Sequence, residues 1–172
     1  MEDLKEQLSV FRGTYINTID SKGRVNIPST YRQVLSEQIL RTKASSKGRE
    51  KQQNSIVVTN YITEGARCLE AYTLSEWEVF ENRLRSKSRF DPKIRALEHY
   101  YFSRAAVCNL DSNGRINIPQ NLRAYASLEK EILFCASFNG FRIWDKRIAD
   151  MVFENAEAQL LENPELFRNV DV

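Results

Sequence analysis

Arg24 and Arg115 each follow a short turn motif that this chain contains twice. The first copy reads DSKGRVNIP at residues 20–28 and the second reads DSNGRINIP at residues 111–119, so seven of nine positions are identical. An arginine guanidinium is planar and permanently charged, and it can donate two hydrogen bonds to phosphate oxygens or to the O6 and N7 edge of guanine. The repeated arginine therefore indicates contacts with nucleic acid. The alternative is an ion pair with the aspartate of the same motif, which would stabilise the turn without touching DNA.

The aspartate and the glycine of the motif are residues that build tight turns. Asp20 and Asp111 can accept hydrogen bonds from the turn backbone, and Gly23 and Gly114 can adopt positive φ, so we expect all four to have a structural role. After each turn, RVNI and RINI alternate polar and apolar residues, which predicts a short strand with its arginine on the polar face. The two aspartates could act as a catalytic carboxylate pair only if the fold placed them together.

The two copies differ in the charge beside the arginine. Lys22 occupies the position at which the second copy has Asn113, and Arg12 and the basic segment 41–53 also belong to the first copy. We therefore predict that the first copy contributes more to DNA contact and that the second contributes more to stability. The predicted DNA-binding residues are Arg12, Lys22, Arg24, Arg32 and Arg115.

The duplication extends from the turn motif to a whole structural unit. Arg32 matches Arg123 at an offset of 91 residues, whereas residues 69–80 match residues 141–152 at an offset of 72. The first copy is thus 91 − 72 = 19 residues longer, and the excess falls on a polar tract at about 41–55 that we predict to be an exposed loop. In both copies the predicted order is strand, turn, strand, short helix, strand, strand and longer helix.

The sequence predicts an α+β protein in which the two copies share one sheet core. A unit of about 60 residues buries too little interior to be stable by itself, which favours an internal two-fold arrangement. The predicted boundaries are residues 14–76 for the first module, 105–148 for the second and 149–172 for an acidic C-terminal helix.

Residues that typically cap the N-terminus of a helix precede the longer predicted helices. Ser75 with Glu78 fits a capping box, and Asp145 can cap the equivalent helix of the second copy. Asp91 followed by Pro92 is typical of a further helix start between the copies. We therefore expect a helix immediately after each of these three signals.

Charge is distributed unevenly, although the net charge is only +2. Residues 41–53 carry five basic residues against one acidic residue, and residues 83–95 carry six against one. Residues 145–172 carry seven acidic residues against three basic ones. A basic run can follow the phosphates of nucleic acid, whereas an acidic segment is repelled by them. The alternative for each run is a solvated helix or loop surface.

The sequence lacks the residues that several classes of function require. His99 is the only histidine, and the sequence contains no glycine motif of a nucleotide-binding loop. Cys68, Cys108 and Cys135 are far apart in apolar segments, which is typical of buried thiols. We expect no enzyme activity, metal, cofactor or small-molecule substrate. No apolar stretch reaches the roughly 18 residues of a membrane span, so we expect a cytoplasmic protein without a membrane partner.

The residues around both motifs resemble the MraZ family of bacterial transcriptional regulators. The resemblance is carried by FRGTYINTIDSKGRVNIPSTYR, CLEAYTLSEWE and NLDSNGRINIP followed by FNGFRIWD, and it spans nearly all of the chain after residue 10. It implies two AbrB-like swapped-hairpin modules, which we expect to form one β-barrel-like core with flanking helices. It also implies a ring-shaped homo-oligomer that binds short DNA repeats before division and cell-wall genes and is associated with the nucleoid. The ten N-terminal residues and the insertion at 41–55 depart from the family pattern.

The predicted function is sequence-specific binding of double-stranded DNA by a transcriptional regulator. The alternative is a ring-forming scaffold in which the duplicated unit serves assembly and the basic runs are solvated surface. Salt dependence separates the two, because each phosphate contact with DNA displaces counterions.

Overall fold

The computed structural model describes residues 10–45 and 54–165, with side chains up to residue 40 in the first of these ranges. Within these ranges the chain forms eight strands and five helices. The strands are β1 Thr14–Thr18, β2 Arg24–Asn26, β3 Ser55–Thr63, β4 Ala66–Thr73, β5 Ala106–Asn109, β6 Arg115–Asn117, β7 Glu131–Ser137 and β8 Gly140–Asp145. The helices are α1 Ser29–Ser45, α2 Leu74–Arg85, α3 Pro92–Tyr101, α4 Gln120–Tyr125 and α5 Lys146–Glu162.

Six strands form one antiparallel sheet in the order β1-β7-β8-β4-β3-β5, and β2 and β6 form a separate antiparallel ribbon. The edge strands are exchanged between the copies, since β1 of the first copy pairs with β7 of the second and β5 of the second pairs with β3 of the first. The strand order is unchanged when the copies are interchanged. The two copies therefore share one sheet core, as the sequence predicts.

The internal two-fold relates residues that the repeat makes equivalent. Glu70 lies directly opposite Arg142 where β4 pairs with β8, and Val25 lies directly opposite Ile116 at the centre of the ribbon. The two residues of the first pair are 72 apart in the sequence and those of the second pair are 91 apart, which are the two offsets that align the copies. The two-fold axis therefore passes through the middle of the sheet and the middle of the ribbon.

The prediction of a β-barrel-like core is wrong. Strands β1 and β5 lie at opposite ends of the strand order and do not pair with each other, so the described sheet is open. The chain leaves each edge strand through the turn motif, and β2 and β6 then pair with one another instead of extending the sheet.

The ribbon lies over one face of the sheet, and the main core fills the space between them. Helices α1 and α4 contribute Tyr31 and Leu122 to this core. On the opposite face, Trp77 of α2 packs against Tyr72, and Trp144 packs with residues of α5. The sheet therefore separates the ribbon, α1 and α4 on one face from α2 and α5 on the other.

The helix starts agree with the sequence at two of three positions. Asp91 caps α3 and Asp145 caps α5, each by accepting a hydrogen bond from the backbone N–H two residues later, at 2.8 and 3.1 Å. The cap of α2 is Thr73, which accepts a bond from the backbone N–H three residues later at 3.2 Å. The predicted capping box at Ser75 is wrong, because α2 begins directly after β4 and Ser75 already lies in its first turn.

The helix after the ribbon strand is longer in the first copy than in the second. Helix α1 has 17 residues and α4 has six, so α1 continues into the segment 41–55 that the sequence predicts to be a loop. Residues 46–53 of that insertion lie outside the described residues. The acidic helix predicted at 149–172 corresponds to α5, which ends at Glu162, and residues 166–172 lie outside the described part.

The three cysteines are buried and free, as the sequence predicts. Burial raises the pKa of the Cys108 thiol to about 11, so this thiol is protonated near neutral pH. Among the described residues, no group of His, Cys, Asp or Glu side chains is arranged to hold a metal ion. None of the described helices combines the length and the apolar character needed to cross a membrane.

Candidate nucleic-acid interface

The first arginine turn is closed by its own aspartate. Asp20 Oδ1 accepts hydrogen bonds from the backbone N–H groups of Lys22 and Arg24, each at 2.9 Å. The other carboxylate oxygen, Oδ2, accepts a bond from Arg24 Nε at 2.7 Å. Gly23 has a φ of +87° and donates its N–H to the Asp20 carbonyl oxygen at 2.9 Å. Local bonds therefore fix both the turn and the direction in which the arginine leaves it.

The second turn has the same geometry. Asp111 Oδ1 accepts bonds from the backbone N–H groups of Asn113 and Arg115 at 2.9 and 3.0 Å, and Oδ2 accepts a bond from Arg115 Nε at 2.8 Å. Gly114 has a φ of +73° and donates its N–H to the Asp111 carbonyl oxygen at 2.9 Å. The two copies of the motif thus form equivalent turns, as their sequence identity predicts.

Both turn aspartates are held in the charged form. The backbone hydrogen bond from Arg24 is the main cause that lowers the pKa of Asp20, and the side chain of Arg24 lowers it further. The pKa of Asp111 is lowered mainly by the backbone hydrogen bond from Arg115. The arginine side chains remain 42% and 34% exposed in the first and second turn. Each bond to aspartate uses Nε rather than a terminal guanidinium nitrogen.

The ribbon places the two motif arginines on one outward face. Its central pair, Val25 and Ile116, is turned toward the core, since each residue is only 1% exposed. Side chains alternate along a strand, so the residues on either side of this pair face outward. The arginine of β2 lies opposite Asn117, and the arginine of β6 lies opposite Asn26. As diagonal neighbours in an antiparallel pair, the two arginines have Cα atoms roughly 7–8 Å apart.

Asn26 and Asn117 are candidate site residues that the sequence prediction missed. Both are exposed on the same face as the arginines. Their signal was present in the alternation of RVNI and RINI, because residues two apart on a strand share a face. An asparagine amide can donate to and accept from the N6 and N7 edge of adenine. The outward face therefore combines two side-chain types that recognise different bases.

The turns lie at opposite ends of the ribbon, because its strands are antiparallel. Lys22 is exposed in the first turn and Asn113 is exposed at the equivalent position of the second. Asp20 and Asp111 are consequently separated, and each is bonded to the arginine of its own turn. The structure does not bring the two carboxylates together as a catalytic pair.

Arg12 lies apart from the other predicted site residues. It is exposed just before β1, whereas the first turn begins just after that strand ends. The five-residue strand β1 lies between them, so Arg12 lies at the far end of the strand from Asp20. The structure therefore brings Lys22, Arg24 and Arg115 to the ribbon and leaves Arg12 outside it.

Arg32 lies beside the turn of the other copy. A Cβ added to Gly114 would lie 2.4 Å from both Cδ and Nη1 of Arg32, so this side chain fills the space next to the glycine. Arg123 occupies the equivalent place in the other turn, with Nε 2.8 Å from a Cβ added to Gly23. Arg123 was not among the predicted site residues, although its match to Arg32 at the repeat offset of 91 residues was the available signal.

The basic run at 83–95 is not continuous with the ribbon. It joins the end of α2 to the start of α3, and both helices cover the opposite face of the sheet. The basic run at 41–53 lies largely outside the described residues. Among the described residues, positive charge at the ribbon comes from the motif arginines and Lys22, with Arg32 and Arg123 beside the turns.

The chain matches the MraZ family model, described as "MraZ protein, putative antitoxin-like", over residues 10–99 and 101–165. A "Transcriptional regulator MraZ" of Acetivibrio thermocellus is 37% identical over 137 residues, which cover 80% of this chain and 82% of that protein. Proteins of the same name from Syntrophobacter fumaroxidans and Desulfitobacterium hafniense are 36% and 34% identical over 140 and 139 residues. These matches cover 81% of this chain, and 82% and 83% of the two proteins. With its two arginine turns and this extent of similarity, the chain belongs to the MraZ family.

Proposed function

We propose that this protein is a transcriptional regulator that binds double-stranded DNA sequence-specifically through the outward face of the ribbon and its two turns. The observation that carries the proposal is the presence of Arg24, Asn26, Arg115 and Asn117 on that one face. The names of the similar proteins, which are transcriptional regulators, support the same role.

The ribbon has dimensions and side chains suited to the major groove. The groove of B-DNA is roughly 12 Å wide and admits a two-stranded β-ribbon. Arginine pairs with the O6 and N7 atoms of guanine, and asparagine pairs with the N6 and N7 atoms of adenine. Because the internal two-fold places one arginine and one asparagine on each strand, we expect guanine and adenine at the contacted positions.

The turn aspartates orient the arginines and leave them able to bind. Asp20 and Asp111 engage Nε, and the terminal nitrogens of each guanidinium remain for a base edge or a phosphate. Lys22 adds a positive charge at one end of the ribbon, where it can contact a phosphate. The ion pair within the turn and the contact with DNA are thus parts of one mechanism.

The exchange of strands supports an AbrB-like swapped-hairpin assignment for the modules at 14–76 and 105–148. The first strand of each copy pairs with a strand of the other copy, and the second strands of the two copies pair with each other. One chain then supplies a complete two-fold symmetric DNA-binding unit.

The open sheet supports assembly into a ring-shaped homo-oligomer. In the described sheet, β1 and β5 pair on one side only, and their equivalent residues Ile16 and Val107 are 50% and 56% exposed. Edge strands with exposed apolar side chains favour association with another chain. Analytical ultracentrifugation should show a large multiple of the 20.0 kDa subunit, and a monomer at micromolar concentration would contradict this assembly.

The proposed targets are short DNA repeats upstream of division and cell-wall genes, which makes the protein cytoplasmic and nucleoid-associated. Identical units in a closed oligomer meet equivalent DNA sites at a fixed step, so repeated sites gain affinity through multivalency. Mapping of the genomic sites that the protein binds tests directly whether its targets lie upstream of these genes. Binding spread evenly over the genome would contradict it.

Selection from a random duplex library tests the specificity of binding. A sequence-specific regulator should enrich one short motif containing guanine and adenine, and the Arg24→Ala/Arg115→Ala variant should not. The scaffold alternative predicts no enrichment for either protein. Circular dichroism and sedimentation of both proteins provide the control that the fold and the assembly are unchanged.

A further inference from the structure

We propose that Arg123 is a positioning residue for the first arginine turn and that Arg32 has the same role for the second. Each turn is then held by an arginine from the helix of the other copy. The structural part of this inference concerns the free protein, and its effect on DNA affinity rests on the proposed function.

Arg123 is connected to the first turn through Ile118. Its Nε donates a hydrogen bond to the Ile118 carbonyl oxygen at 3.0 Å. The N–H of Ile118 in turn donates to the carbonyl oxygen of Gly23 at 2.8 Å. A Cβ added to Gly23 would lie 2.8 Å from Nε and 2.9 Å from Cζ of Arg123, so the guanidinium also fills the space beside the glycine. Two consecutive hydrogen bonds and direct packing therefore hold this turn in place.

Arg32 supports the second turn by packing without the equivalent bond. The N–H of Ile27 donates to the carbonyl oxygen of Gly114 at 3.0 Å, which matches the other turn. The side chain of Arg32 fills the space beside Gly114, but its Nε is buried and has no hydrogen-bond partner among the residues that the structure describes. The support of the first turn is therefore anchored at Nε, whereas the support of the second is not.

This asymmetry gives the first turn the more rigid arginine. A side chain that is already held in its bound geometry loses less conformational entropy when it binds. Arg123, which belongs to the second copy, thus acts on DNA through Arg24, which belongs to the first. The two copies are coupled in their function as well as in their sheet.

Amide hydrogen exchange of the full chain without DNA tests the support. Arg123→Met keeps an unbranched side chain and removes the guanidinium, and Arg32→Met is the matched control. We expect the Lys22 and Gly23 amides to exchange about tenfold faster in Arg123→Met, as for the loss of one charge-assisted hydrogen bond, with the second turn unchanged. Arg32→Met should act on the second turn and by a smaller factor. Acceleration that is absent from the first turn in Arg123→Met, or equal in both turns, overturns the proposal.

If Arg123→Met does not fold, Arg123→Lys makes the same comparison, because lysine keeps the charge and the stem but has no Nε–H donor in that position. Its first-turn amides should still exchange faster than those of the wild type. Unchanged exchange in a folded Arg123→Lys variant overturns the role of the Nε bond.

A double-mutant cycle on a duplex recovered by selection tests the effect on DNA. Arg123→Met should weaken binding about tenfold in the wild-type background and hardly at all in the Arg24→Ala background, because a positioning residue acts through the residue that it positions. Additive losses would mean that Arg123 touches DNA itself and would overturn the positioning role. If selection recovers no duplex, the proposed function fails, while the exchange experiment still decides whether Arg123 holds the turn.

Discussion

Val25 lies directly opposite Ile116 at the centre of the ribbon, and each of the two side chains is 1% exposed. This pair lies on the internal two-fold axis, so the outward residues on either side of it are duplicated. A single chain thereby presents two arginines and two asparagines in a symmetric arrangement. The repeated turn motif is explained by this pairing, because each copy supplies one of the two strands.

Alanine substitutions at three glycines separate backbone strain from crowding between the copies. Gly23, Gly114 and Gly65 have φ values of +87°, +73° and +70°, so each variant should lose about 1–2 kcal/mol of unfolding free energy to strain. Gly65→Ala should lose no more, because apart from its chain neighbours no described residue has an atom within 4 Å of its added Cβ. Gly23→Ala should lose a further ~1–3 kcal/mol, because its Cβ would lie 2.7 Å from the Ile118 carbonyl oxygen.

Gly114→Ala should fall between these two variants. The atoms that its Cβ would meet at 2.4 Å belong to the Arg32 side chain, which can change its rotamer more easily than a backbone carbonyl can move. Urea unfolding at one fixed protein concentration gives the three free energies. Equal losses in all three variants would contradict the expected cost of crowding at Gly23 and Gly114.

Stability should fall in acid as the turn aspartates are protonated. The folded protein holds the pKa of Asp20 and of Asp111 below the ordinary value of 3.8. Their ionised forms therefore stabilise the fold above the unfolded-state pKa, and this contribution is lost as pH falls through the lowered folded-state pKa. The Asp20→Asn/Asp111→Asn variant should have a lower thermal midpoint at neutral pH and a shallower decline below about pH 4. Curves that stay parallel to the wild type at every pH would contradict this.

Arg24→Ala should lose roughly 1–3 kcal/mol of DNA-binding free energy with the fold and the oligomer intact. Arg115→Ala should lose less binding and more thermal stability. The hydrogen bonds within the two turns match, so the expected difference depends on the charge of Lys22 against the neutral Asn113 and on the anchoring of the first turn by Arg123. Equal binding losses from two equally stable variants would assign the same role to both turns.

The variants Lys22→Asn and Asn113→Lys, in which each turn receives the residue of the other, test the charge difference between the two turns by itself. The slope of log affinity against log salt should decrease in magnitude by about one in the first variant and increase by about one in the second, because one fewer or one more lysine then faces a phosphate. Identical slopes in wild type and both variants would show that position 22 lies away from the phosphates.

Changing the spacer between two DNA repeats tests whether neighbouring subunits bind them together. A closed oligomer presents its ribbons at a fixed step, so a spacer altered by a few base pairs should weaken binding to the pair far more than to one repeat. Titration of duplexes with one and two repeats provides the comparison. An affinity that is independent of the spacer would show that each repeat is bound separately.

The turns and most helix starts could be predicted from the sequence because they depend on neighbouring residues. Asp20 and Asp111 bond to groups two and four residues away, and Asp91 and Asp145 bond to groups two residues away. The outward face of the ribbon could also have been predicted, since alternation along β2 and β6 places each asparagine on the same face as an arginine. Local bonds and strand periodicity are properties that a short segment of sequence contains.

The features that depend on distant pairing could not be predicted in this way. The sheet would be a barrel if β1 paired with β5, and it is open because they do not pair. The sequence of either strand alone does not determine which strand it pairs with. The contacts of Arg32 with Gly114 and of Arg123 with Gly23 join residues of different copies, so they follow only from the register of the ribbon. The repeat offset showed which residues are equivalent but not which of them touch.

The most direct test of DNA binding by the ribbon is the affinity for a selected duplex measured across a range of salt concentrations, for the wild type and for Arg24→Ala/Arg115→Ala. The wild type should bind the selected duplex far more tightly than a scrambled one, and its affinity should fall steeply as salt rises, because each phosphate contact releases counterions. The double variant should lose the preference for the selected duplex while keeping its fold and its assembly. A wild-type affinity that does not change with salt, or a folded double variant that binds as well as the wild type, would contradict DNA recognition by this face.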